Sequence, residues 1–95
     1  MSAEDRTTRH DRDLFGLLYE TARNAGIEII EDRINRKGGI CRLKQRIVVL
    51  YDEQAPYRER NRLILDAISL VNRDYLYLPP RVRMLLEEDK AGQGS

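Results

Sequence analysis

With 95 residues, the chain has room for one hydrophobic core and not for two. Seventeen basic against sixteen acidic side chains leave a formal charge of +1, so no global field draws the molecule to DNA or to an anionic membrane. The lone cysteine, Cys41, excludes an intramolecular disulfide and fits a reducing compartment. No apolar run is long enough to span a bilayer, and Met1 to Asp13 is charged where a secretory signal is apolar, so a cytoplasmic protein is expected.

Residues 1–6 read as a frayed N-terminal tail, 7–88 as a single α+β domain and 89–95 as a second tail. Thr7, Thr8 or Asp11 opens a helix that runs to about Ala25, with Leu14, Leu17, Leu18, Thr21 and Ala22 recurring at helical spacing and Gly26 placed to end it. Ile27 to Glu31 interleaves β-branched residues with acids and reads as a strand. Arg33 to Gly39 breaks the pattern, and the Gly38-Gly39 pair permits positive φ. Two further strands, Ile40 to Lys44 and Arg46 to Tyr51, form an antiparallel hairpin around Lys44-Gln45-Arg46. In the first, Cys41 and Leu43 share an inner face, with Arg42 and Lys44 turned to water. In the second, Ile47, Val49 and Tyr51 share one face while Val48 and Leu50 make the opposite face apolar too, so that face is expected to need cover.

Pro56 fits the first turn of a central helix to about Arg73, with Tyr57, Asn61, Ile64, Ile68 and Val71 as its seam and Arg58, Arg62, Asp66 and Ser69 as a narrow polar strip. So broad an apolar arc marks a packing element with apolar neighbours and no reactive side chain turned to a cavity. Tyr75 to Leu78 adds a short strand or an extended bridge, and Pro80 opens a last helix whose face is Val82, Leu85 and Leu86. The expected fold is therefore α+β in the order α-β-β-β-α-α, with a three-stranded, mostly antiparallel sheet.

Most site chemistries fail against the residues. The single histidine, His10, lies near the N-terminus, and no base is evident for Cys41, which reads as a small core residue. One cysteine and one histidine far apart do not make a zinc site, and Gly38-Gly39 lacks the spacing of a nucleotide-binding loop. No catalytic residue, metal ligand or cofactor is expected, and the chain reads as a non-enzyme.

Two surfaces remain. Arg33 to Arg46 holds no acid, and Arg36, Lys37, Arg42, Lys44 and Arg46 form a candidate nucleic-acid contact, although the stretch lacks the interleaved aromatics that stack on bases. Its plainer role is a charged sheet edge that resists strand-to-strand aggregation. Val48, Leu50, Tyr75 and Tyr77 form a candidate protein-interaction surface, the tyrosines standing beside the rigid Pro79-Pro80 pair.

The layout of Gly38 to Val71, GGICRLKQRIVVLYDEQAPYRERNRLILDAISLV, resembles the zincin-like metallopeptidase family that includes bacterial anti-repressor proteases. There, a hairpin strand leads through a short loop and an arginine-rich helix start to an HExxH helix. Here the corresponding stretch is Ala67-Ile68-Ser69-Leu70-Val71, with neither histidine nor glutamate, so no site residue carries over and the resemblance implies a degenerate, non-catalytic relative. The whole chain, including Tyr75 to Arg83, is also similar to small bacterial proteins that imply no activity. The expectation is a non-catalytic bacterial protein that acts by binding itself, as a homodimer, or another protein. Nucleic acid is the alternative partner and a degenerate metallopeptidase-like protein the alternative class.

Overall fold

The computed structural model describes residues 6–71 and 77–93, in the order α1 (Arg6–Asn24), β1 (Glu28–Asp32), β2 (Gly39–Leu43), β3 (Arg46–Asp52), α2 (Tyr57–Ser69) and α3 (Pro80–Gln93). The α+β order read from the sequence is the order observed. β3 lies in the middle of the sheet, antiparallel to β2 and parallel to β1.

α1 buries Leu14, Leu18, Thr21 and Ala22, spaced four, three and one apart along one face. It stops in a glycine-dependent cap. Gly26 sits at φ 84°, its N–H bonds the Arg23 carbonyl, and the Ile27 N–H bonds the Ala22 carbonyl. Both hydrogen bonds are those of a Schellman ending, and Ile27 and Ala22 supply its apolar contact.

β1 and β2 flank β3 with Glu28 opposite Val48, Ile29 opposite Val49, Ile40 opposite Val49 and Cys41 opposite Val48. Alternation then divides the sheet. Ile29, Ile40, Ile47, Val49 and Tyr51 join Leu14, Leu18, Ile64, Ala67 and Ile68 in the core, with Leu78, Val82 and Leu86 completing it from α3. The core lies between one sheet face and the helices.

Four expectations need correction. Neither Gly38 nor Gly39 has positive φ; Gly38 is required because a Cβ there would lie 2.1 Å from the Leu50 carbonyl oxygen. The positive-φ residues of this region are Asn35 and, in the hairpin turn, Lys44. α2 ends at Ser69 and not near Arg73, with the Leu70 and Val71 N–H groups closing on the Ala67 and Ile68 carbonyls. Cys41 and Leu43 are exposed, because their register places them with Val48 and Arg46 on the face away from the helices. At the other end of the chain, α3 continues to Gln93, into the segment read as a tail.

Candidate functional site

The sheet face turned away from the helices is built by the alternate residues of three strands: Glu28, Ile30 and Asp32 of β1, Val48 and Leu50 of β3, Cys41 and Leu43 of β2. No α1, α2 or α3 residue of the core cluster lies on it, and Val48, although buried, stands outside that cluster. Val48 is only 8% exposed. It lies between Glu28 and Cys41, and an ion pair from Arg46 to Glu28 spans this end of the face. The expectation that Val48 lacks cover is therefore corrected. Leu50 is half-buried, Ile30 is exposed and Leu43 is 56% exposed. What remains bare is Ile30 beside Leu50 in one row of the face and Leu43 beside Arg46 at its hairpin end, with Val48 and the Cys41 thiol in the row between.

The two ends of this face differ in charge. β3 begins at Arg46 at one end, whereas β1 and β3 finish at Asp32 and Asp52 at the other. Asp52 also closes the β1–β2 loop, its carboxylate accepting the backbone N–H groups of Ile34 at 3.1 Å and Asn35 at 3.4 Å. A desolvation contribution pushes its pKa up, but backbone N–H donors from Ile34, Asn35, Gln54 and Glu53 outweigh it, and the carboxyl sits below its ordinary 3.8.

The basic residues of the 33–46 stretch do not gather on one surface. Arg46 is paired with Glu28 on the bare face, and Arg33 with Glu53 at 3.1 Å. Arg36 and Lys37 lie in the loop before β2, at the far end of that strand from Lys44. Arg42 falls on the helix side of the sheet, where it and Lys44 line a hollow of about 430 Å³ with Ala25, Gly26, Leu70 and Val71. Those four residues follow the C-terminal ends of α1 and α2, the negative ends of two helix dipoles, which Arg42 and Lys44 complement. Of the tyrosines, Tyr77 is exposed and Tyr75 lies outside the described residues.

Sequence reasoning missed the most elaborate polar cluster, centred on Arg60. Its guanidinium carbon lies 4.9 Å from the Tyr51 ring centroid, 5.0 Å from Tyr57 and 5.5 Å from Phe15. Nε donates to the Ala55 carbonyl, Nη2 to the Glu53 carbonyl and Nη1 to the Glu31 carboxylate, at 2.8, 2.8 and 2.9 Å. The side chain is 12% exposed. Burial pushes the Tyr51 phenol up to about 12, aided by the charge and hydrogen bond of Glu31 and opposed by Arg60. Each polar group here is spent on the chain itself, so the cluster is a clamp joining α1, the sheet and the turn into α2. Its one sequence signal is spacing: Arg60 lies three residues after Tyr57, on the same side of the helix.

α2 does line a cavity, contrary to expectation. A groove of about 510 Å³ runs between Asp11, Leu14 and Leu18 of α1, Arg58, Glu59, Asn61, Arg62 and Leu65 of α2, and Leu85 of α3. Asn61 is 6% exposed; its Nδ2 donates to the Asp11 carbonyl at 2.8 Å, tying the helices together, while its Oδ1 has no donor among the described residues. A buried carbonyl left unpaired costs about 1–3 kcal/mol.

No His, Cys, Asp or Glu group suited to a metal ion occurs among the described residues, and Ala67 to Val71 spans the end of α2. No helix among the described residues is long and apolar enough to cross a membrane.

No protein-family model, curated protein or solved structure matches this chain. Any function must therefore be argued from the surfaces themselves.

Proposed function

We propose that the chain is a non-catalytic interaction module of the cytoplasm that associates with a second copy of itself through the bare sheet face. The observation that carries this reading is the exposed apolar surface of Ile30, Leu50 and Leu43, joined through Val48 and Cys41, on the sheet face opposite to the one that the described core residues of the helices cover. Single exposed apolar residues are ordinary; Ile30, Leu50, Val48, Cys41 and Leu43 run diagonally across three adjacent strands and make a patch.

A second copy suits the patch in charge. A two-fold axis across the strands sets the Arg46 end of each copy against the Asp32–Asp52 end of the other, and a net charge of +1 opposes the approach little. The exposed thiol of Cys41 on this face favours a reducing compartment. Five residues across three strands cover about 250 Å² per copy, from strand spacing and rise. A standard interface buries roughly 800 Å² per partner, so the association is weak and concentration-dependent.

Sedimentation velocity from about 10 μM to about 1 mM, a span suited to weak interfaces, tests it. The expected result is a monomer–dimer shift that Leu43→Asp and Ile30→Lys abolish while the circular dichroism spectrum stays unchanged. Alkylation of Cys41 should slow over the same range. A wild-type monomer at the highest concentration overturns the proposal.

A further inference from the structure

We infer that the groove between α1 and α2 is a binding site for a small, neutral, mainly apolar molecule carrying one N–H or O–H donor, with a flat heterocyclic N–H as the fitting chemistry. Four features of the groove define that ligand. Its volume, about 510 Å³, lies within the range of small-molecule pockets. Its walls are Leu14, Leu18, Leu65 and Leu85, which favour an apolar body. Its charged residues cancel, Asp11 and Glu59 against Arg58 and Arg62, so the site has no preference for a net charge. Finally, it is lined by Asn61, whose buried Oδ1 has no donor among the described residues.

The orientation of Asn61 sets the selectivity. Its Nδ2 is held by the Asp11 carbonyl, so the oxygen is fixed as the free end. A ligand that only accepts hydrogen bonds gains nothing there, and one that donates removes the penalty of an orphaned group. The oxygen is itself covered, so a donor reaches it after a small movement of Asn61 or of a wall leucine, which a thin ring edge requires least. This inference is independent of self-association, because the groove and the bare sheet face lie on different elements.

The test uses the full chain with indole and 1-methylindole, two flat probes that differ in the N–H. Amide chemical-shift titration should show indole perturbing residues of the groove, with 1-methylindole at least about fivefold weaker. Asn61→Leu should bring the two probes to equal affinity, and Leu65→Trp, which fills the groove from a partly buried wall position, should weaken both. Should Asn61→Leu fail to fold, the comparison of the two probes on the wild-type chain decides alone. Equal binding of the probes by the wild type, shifts outside the groove, or no binding at all overturns the inference; in the last case the partner of Asn61 Oδ1 is water.

Discussion

Replacing Arg60 by alanine removes the cation from among three aromatic rings, leaves the Glu53 and Ala55 carbonyls without its donors and takes the guanidinium from the Glu31 carboxylate. The expected cost is about 3 kcal/mol, read as a fall in the urea midpoint. Arg60→Lys should recover less than half of it, because an ammonium does not reproduce three donors in one plane. Tyr51 gives this cluster a pH signature. Its phenol ionises at about 10 in the unfolded chain and at about 12 in the folded one. The stability it contributes is therefore complete below pH 10 and is lost as the pH rises from about 10 to about 12. The difference in urea midpoint between wild type and Tyr51→Phe should change across that window and stay flat between pH 7 and 9. Gly38, just before β2, and Gly39, its first residue, make a third comparison. A Cβ at Gly38 meets the Leu50 oxygen at 2.1 Å and the Tyr51 Cα at 2.8 Å, whereas at Gly39 it meets nothing within 4 Å. Gly38→Ala should lower stability by about 2 kcal/mol or more, while Gly39→Ala stays within about 0.5 kcal/mol, measured by thermal unfolding.

Element by element, the sequence was legible where a period or a stop signal had one physical meaning. The stripe of Leu14, Leu18 and Ala22 with Gly26 behind it fixes α1 and its end, and Pro80 marks the start of α3. The ambiguity lay in faces. Alternation says that Cys41 and Leu43 share a side with each other, but not which side meets the helices. Arg42 pairs with Ile47 in the ladder, and Ile47 is a core residue, so the arginine lies over the helix ends and Cys41 faces out. The parallel pairing of β1 with β3 was equally hidden, since the hairpin signal concerns neighbours in sequence and β1 bypasses β2 to reach β3. α2 ends early for a reason that composition does not carry: its periodicity continues to Val71, yet the Leu70 and Val71 N–H groups turn back to carbonyls three residues earlier. The bare face was half legible. Val48 and Leu50 announced an apolar second face, and the exposed Leu43 and Ile30 entered it only through register. The groove was not legible at all, because Asn61 reads as one more member of a seam until its oxygen is seen without a donor.

For the molecule as a whole, the strand order implies an order of assembly. β2 and β3 close a hairpin whose partners begin three positions apart at Leu43 and Arg46, whereas β1 meets β3 with Glu28 twenty positions before Val48. Closing the longer loop costs more chain entropy, so the hairpin zips first and β1 docks onto it afterwards, carried by α1. The same hierarchy governs opening. Backbone amides of Glu28 to Asp32 should exchange with deuterium sooner than those of Arg46 to Asp52 that face β2, in a native-state exchange series. A molecule with its first strand undocked presents the edge of Ile47-Val48-Val49-Leu50 to any other chain, and the strand that replaces the missing one most readily is the identical segment of a neighbour. Strand exchange between copies, and fibrous aggregates under heat or shaking, are thus the failure modes written into a sheet whose central strand waits for a late and distant partner.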